Sequence, residues 1–164
     1  MEFRVMTVSD IPACARTLMA AFAEPPWNEH WTHEQAFTRI DEIMSGRVSR
    51  GYVAVEGDTV VSMLSGRIMT YLGFKELWVD EFSVHPAYQR QGVGSRMMAF
   101  VRDQLRQEPE KISYIVLNTE RGYPSVKFYE ANGFRREGVL EREIFRDGAY
   151  RDVVLLARFR PETL

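Results

Sequence analysis

A chain of 164 residues, 45% hydrophobic and 12% aromatic, is long enough for one domain with its own core and too aromatic for a disordered chain. Its one cysteine, Cys14, excludes a disulfide framework or a cysteine-based zinc site, and a net charge of −2 demotes nucleic acid as a partner. No apolar run approaches the roughly 18 residues of a membrane span, and Met1-Glu2-Phe3-Arg4 lacks the basic-then-apolar order of a signal peptide, so the expectation is a soluble, cytoplasmic, single-domain protein over residues 1–164.

Phe3–Met6 predicts a short strand. Thr7 or Ser9 caps a helix over about Ile11–Phe22, with Leu18, Met19 and Phe22 as its apolar stripe. Glu24-Pro25-Pro26 stops that helix. Thr32 caps a second one, striped by Phe37, Ile40, Ile43 and Met44 and ended by Gly46. The period then changes to two. Tyr52–Val55, the Glu56-Gly57-Asp58 turn and a long run from Thr59 to Tyr71 read as a hairpin. Leu77–Val84 is the next strand, ended by His85-Pro86. A helix over about Gly92–Arg106 follows, with Met97, Met98, Val101 and Leu105 on one face. Tyr114–Leu117 is a continuously apolar strand, as expected of one covered on both faces. Pro124 opens a helix through Asn132, and Gly133 is its C-cap. Glu141–Arg146 and Tyr150–Phe159 flank Asp147-Gly148, a hairpin turn. The order β-α-α-β-β-β-α-β-α-β-β implies an α/β fold: a mixed sheet of six or seven strands with a βαβαβ run in the middle and helices on both faces.

The densest chemical signal lies where the strand ending at Val84 passes through Gln89-Arg90-Gln91-Gly92-Val93-Gly94 into a helix. Two glycines at a strand–helix junction let the backbone turn sharply and expose successive N–H groups. With the helix dipole, those groups form an anion site, and Arg90 and Arg96 add positive charge beside it. Phosphate or pyrophosphate is the implied ligand. The same Gly-x-Gly also serves as a tight connection that brings helix and strand close. A dinucleotide fingerprint needs three glycines in an early βαβ unit, and a triphosphate loop needs a Lys-Ser or Lys-Thr pair; neither is present.

Gln89-x-x-Gly92-x-Gly94 after Glu81-Phe82-Ser83-Val84 resembles the acetyl-CoA motif of the Gcn5-related N-acetyltransferases. Ser125-Val126-Lys127-Phe128-Tyr129-Glu130-Ala131-Asn132-Gly133-Phe134 resembles that family's second signature, and the element order is similar over nearly the whole chain. The resemblance implies a β-bulge that splays the strand ending at Val84 from the strand containing Leu117, with pantetheine lying in the gap. It implies cofactor contacts at Phe82, Ser83 and Val84, at Gln89, Arg90, Gln91, Gly92, Val93, Gly94 and Ser95, and at Asn118, Ser125 and Phe128. It implies Tyr129 as the general acid for the departing thiolate. On helix geometry alone, Tyr129 equally reads as a packed core side chain. Glu81 is the preferred general base, with Asp80 the alternative; on a regular strand only one of two neighbours faces a given side. Three positions depart from the family pattern: Gly122 where Asn is frequent, Ser125 where Ala is usual, and Leu117 where the ribosomal-protein branch carries a catalytic Glu.

Acceptors of such enzymes meet the first helices and the terminal hairpin. Here Glu24-Pro25-Pro26-Trp27-Asn28-Glu29-His30-Trp31 offers Trp27 and Trp31 with Glu24 and Glu29 as an acidic and aromatic lip suited to a cation, and Asp80 is a further acceptor-contact candidate. The same tryptophans also read as loop side chains that close the core. His30, His33 and His85 have no metal-ligand spacing, and Cys14 reads as a buried small residue. The resemblance implies an acetyl-CoA-dependent N-acetyltransferase acting on a small cationic primary amine. The alternatives are a protein N-terminal or lysine acetyltransferase and a non-catalytic acyl-CoA sensor. No nucleic acid, membrane or metal partner is expected, and a homodimer is compatible with the sequence.

Overall fold

Gly57-Asp58 and Asp147-Gly148 each turn the chain back on itself, and Gly57, Asp147 and Gly148 all take the positive φ that tight hairpins require. The computed structural model describes residues 1–160. Its strands are β1 (Glu2–Val5), β2 (Ser49–Glu56), β3 (Thr59–Tyr71), β4 (Phe74–Val84), β5 (Ile112–Glu120), β6 (Arg135–Arg146) and β7 (Ala149–Phe159). They form one seven-stranded sheet in the order β1-β2-β3-β4-β5-β7-β6. Only β4 and β5 pair in parallel; every other neighbouring pair is antiparallel. The predicted βαβαβ run therefore contains one parallel pair, because β6 passes to the outer edge and β7 inserts antiparallel beside β5.

Helices α1 (Ile11–Ala23) and α2 (His33–Met44) pack on one face, against Val53, Val60 and Met63. Helices α3 (Val93–Arg106) and α4 (Pro124–Ala131) pack on the other, against Leu64, Leu77, Leu117 and Leu156. Alternation along the strands serves both layers, as Met63 and Leu64 do. Side chains such as Leu18, Ile40, Leu77 and Leu156 are fully buried. Each contributes about 1.5–3 kcal/mol, more than the ~0–1 kcal/mol of a surface ion pair, so apolar burial holds the layers together. α1 is preceded by a 3-10 turn, Val8–Asp10, whose Asp10 accepts from Thr7 N at 2.7 Å and from both terminal nitrogens of Arg4. Cys14 is buried in α1.

Four strands run well past their predicted bounds: β2 begins at Ser49 rather than Tyr52, and β5 spans Ile112–Glu120 rather than Tyr114–Leu117. β6 begins at Arg135 rather than Glu141, and β4 at Phe74 rather than Leu77. β6 is an edge strand with nearly every residue exposed, so no apolar alternation marks it; backbone pairing with β7 alone makes it a strand.

One irregularity shapes the sheet. Ser65 pairs with Glu81 but Gly66 pairs with Val79, leaving Asp80 as an extra residue in β4. Pairing between β4 and β5 ends at Trp78 and Val116, just before this bulge. β5 continues beside β7 to Glu120, while β4 bends away with β3, so a gap opens between β4 and β5. Gly66 is required there: a Cβ would lie 2.1 Å from the Trp78 carbonyl oxygen. Gly66→Ala should cost about 1–3 kcal/mol, the usual range for overpacking, read as a lower urea midpoint. Gly138→Ala, whose Cβ would meet nothing, should stay within about 0.5 kcal/mol of the parent. Equal midpoints for the two variants would contradict a bulge built on Gly66.

Candidate functional site

His85 N donates to Val61 O at 2.8 Å, so odd-numbered residues in this part of β4 turn their backbone groups toward β3. By alternation, Phe82 and Val84 turn theirs toward the gap, where β5 has departed. Val84 O accepts from Gln89 Nε2 at 2.9 Å, which folds the following loop back on the strand. The result is a short exposed strand edge, able to pair with an extended ligand that carries amides.

The loop leads directly into an anion-attracting helix end. His85 Nδ1 caps the 3-10 turn Pro86–Tyr88 through Ala87 N. Arg90 and Gly92 then take φ of 60° and 79°, and α3 starts at Val93. The first N–H groups of this 14-residue helix have no partner within the helix, and its dipole favours negative charge. Gln91, Gly92 and Ser95 are exposed, while Val93 is buried and anchors the turn. A Cβ on Gly94 would sit 3.0 Å from the Phe128 ring; its absence lets the first turn of α3 rest on the stacked pair Phe82–Phe128, whose centroids are 5.8 Å apart. Arg96 lies over the Phe3 ring at 4.8 Å, so its charge is shared with β1.

Tyr129 sits beside this edge in an aromatic cluster, with ring centroids 6.3 Å from Phe82, 5.2 Å from Phe128 and 5.5 Å from Phe134. Burial pushes its phenol pKa up, and the charge of Glu81 pushes it further, so the hydroxyl keeps its proton at neutral pH. Glu81 is raised above the usual carboxylate range by burial, opposed by Arg39 on α2, whose Nε donates to Glu81 Oε1 at 2.9 Å; the nearby Glu29 and Asp80 raise it further. The bulge separates the two neighbouring acids. Both Asp80 oxygens are taken by Arg67, each at 2.8 Å, which leaves Glu81, half-buried, as the carboxylate whose charge reaches Tyr129.

The remaining predicted residues divide into those at the gap and those bound elsewhere. Asn118 is exposed on β5, beyond the last residue paired with β4. Ser125 Oγ is bonded to Thr119 Oγ at 2.7 Å and ties α4 to β5. Ser83 is buried with its hydroxyl unpartnered among the described residues, and its carbonyl accepts from Ser62. The lip is built into a clamp. Trp27 packs edge-on between Phe22 and Tyr123, at 5.2 and 4.7 Å. Glu29 accepts from Trp31 Nε1 at 2.7 Å and from Arg146 at 2.6 Å, so both of its oxygens are used. Arg146 also donates to buried Glu120 at 2.6 Å and to Tyr123 Oη at 2.7 Å, joining the terminal hairpin to the α1–α2 loop. Sequence reasoning missed Arg39 and Arg146. Neither sits in a motif, and their partners are 42 and 117 residues away. No group of three or more metal-ligating side chains occurs among the described residues.

A model of the acetyltransferase (GNAT) family matches residues 15–134. Among curated proteins no sequence relative is detected. Similar solved structures include a ribosomal-protein-alanine N-acetyltransferase from Brucella melitensis, 17% identical with TM-score 0.76, covering 98% of this chain and 100% of that one. A chimera of the spermidine N-acetyltransferase SpeG from Vibrio cholerae and hSSAT is 17% identical with TM-score 0.74, over 99% and 98% of the two chains. Arabidopsis thaliana NAA60 in complex with acetyl-CoA is 15% identical with TM-score 0.73, over 96% and 97%.

The Arg39–Glu81 pair can be tested directly. Arg39→Gln removes the charge that opposes burial, so the Glu81 titration followed by carboxyl-carbon NMR should move to higher pH. The folded-state pKa of Glu81 lies above its ordinary 4.5. Its contribution to stability is therefore fully present below the unfolded pKa and is lost as pH rises through the folded value. The variant should be penalised above that window and not below it. An unmoved titration would show that solvent screens the pair.

Proposed function

The chain belongs to the GNAT acetyltransferase family, and on that premise we propose that it transfers an acetyl group from acetyl-CoA directly to the primary amine of a small cationic molecule. The observation that carries this reading is the gap between β4 and β5. It sets the free edge at Phe82 and Val84, the α3 N-terminus and Tyr129 side by side. That combination fits the parts of an acyl-CoA: an amide-bearing arm for the strand edge, a pyrophosphate for the helix end and a thioester beside the phenol.

Acetyl-CoA supplies the activated thioester; this chain's residues do the rest. The backbone of Phe82 and Val84 holds the arm extended. The N–H groups from Gln89 through Ser95, with Arg90, hold the pyrophosphate, and Gly92 supplies the left-handed turn that aims them. A backbone N–H between Phe82 and Val84 polarises the acetyl carbonyl as negative charge develops on its oxygen. Phe82 and Phe128 keep water from the acyl group. Tyr129 donates to the departing sulfur. A thiol ionises near 8.5 and the buried phenol lies well above that, so full proton transfer from Tyr129 is uphill. Hydrogen bonding to the developing thiolate carries its effect, which places the expected benefit near ~10²-fold rather than 10⁴-fold.

The attacking amine arrives as an ammonium and must lose a proton. Glu81 accepts it, and its raised pKa lessens the mismatch with the ammonium. Because Glu29 is committed to Trp31 and Arg146, the attraction for a cation rests on Glu81 and not on an open acidic lip. The clamp of Trp27, Trp31 and Tyr123 bounds the acceptor's entry and sets its size.

The test is thiol release from acetyl-CoA with a panel of amines. Tyr129→Phe should lower kcat by about 10²-fold with acetyl-CoA affinity little changed. Glu81→Gln should depress kcat/KM most at neutral pH and less at high pH, where free amine is abundant. Turnover near the parent level in Tyr129→Phe would make that tyrosine a packing residue. A uniform loss at every pH in Glu81→Gln would make Glu81 a binding residue. Acetyl-CoA binding without release for any amine would turn the reading to an acyl-CoA sensor.

A further inference from the structure

At the opposite end of α3 from the gap lies a pocket of about 90 Å³, enclosed by the last turns of α3, the start of β5 and the end of β7. Arg102, Arg106, Arg158 and Arg160 line it, with apolar walls from Leu105 and Tyr114, and among the described residues no carboxylate does. Several arginines on this protein are matched by acids: Arg4 with Asp10, Arg50 with Glu108, Arg67 with Asp80, Arg136 with Glu130. In the pocket, Arg102 and Arg158 have no acid partner among the described residues. Arg106 has an exposed contact with Asp103. Arg102 has no ion pair among the described residues, and its Nε is buried without a hydrogen-bond partner. Arg158 gives one nitrogen to the carbonyl of Asn132 and meets no acid among the described residues. Burial and the charges of Arg102 and Arg106 together push the Arg158 pKa down, as expected where like charges converge.

Helix polarity does not account for this cluster. Cations at a helix C-terminus complement its dipole, which explains Arg106 in the last turn of α3. Arg158 arrives from β7, which the helix does not position. A buried donor without a partner is a cost, and guanidinium forks suit the oxygens of a compact oxyanion. The volume equals about three waters at roughly 30 Å³ each, room for one tetrahedral group. We propose that this pocket binds a phosphate dianion, free or as the terminal group of a small phosphomonoester, between Arg102, Arg106 and Arg158. The site is separate from the gap: Arg102 and Arg106 lie roughly 13–20 Å along the helix from Val93.

Two probes distinguish the sources, inorganic phosphate and glycerol 3-phosphate, each titrated calorimetrically into the full chain at fixed ionic strength. One saturable site is expected, weakened at least about tenfold by Arg102→Gln and by Arg158→Gln. Arg90→Gln, which alters the loop before α3, should leave it unchanged. Tighter binding of inorganic phosphate assigns the free ion, and tighter binding of glycerol 3-phosphate assigns an ester. Thermal melts check that the variants fold; because Arg158 also holds the Asn132 carbonyl, Arg102→Gln decides alone if Arg158→Gln does not. No saturable binding of either probe up to about 10 mM, or binding lost in Arg90→Gln and kept in Arg102→Gln, would overturn the proposal.

Discussion

One extra residue in β4 sets the geometry on which the site depends. Because Asp80 has no partner position in β3, the strand twists and its last residues follow β3 away from β5, as bulges commonly make strands do. The close approach of Gly66 to the Trp78 carbonyl shows how tightly this distortion is built. An unbulged β4 would continue its ladder with β5, and the amides of Phe82 and Val84 would be spent inside the sheet. The bulge instead leaves them beside a helix terminus and a buried phenol. It also turns two consecutive acids to different partners, Asp80 to Arg67 and Glu81 to Arg39.

Charge pairing around the gap is unequal, and the inequality carries chemical meaning. Asp80 and Glu29 each have both oxygens bound by donors. Glu81 has one ion-pair partner and is buried enough that its pKa still rises. Two carboxylates are thereby held in fixed hydrogen bonds, while Glu81 is the one whose proton affinity burial raises. Arg146 does for the α1–α2 loop what the bulge does for the end of β4. It joins Glu29, Glu120 and Tyr123, so the α1–α2 loop and the terminal hairpin act as one wall.

Much of this was legible in the sequence, for local reasons. Thr59–Tyr71 and the α3 helix stood out because apolar periodicity and turn residues agreed there. The Gln89–Gly94 junction was legible because a positive φ at Gly92 and the close contact at Gly94 demand glycine. β6 was half missed because an exposed edge strand carries no alternation. The lip was read from composition as open acid and aromatic, whereas Glu29 and Trp27 are engaged by Arg146, Trp31, Phe22 and Tyr123. Arg146 and Tyr123 come from the far half of the chain, and charge composition records neither distance nor pairing. The arginine pocket was invisible for the same reason, since α3 and β7 meet only in the fold.

The gap itself is open to one direct measurement: amide hydrogen exchange of the full chain with and without coenzyme A. Bound coenzyme A should slow exchange at Phe82 and Val84 and across Gln91–Ser95, and leave the paired amides of β2 and β7 unchanged. Binding that protects other amides and leaves Phe82, Val84 and the α3 N-terminus at their free rates would contradict a site built on the splay between β4 and β5.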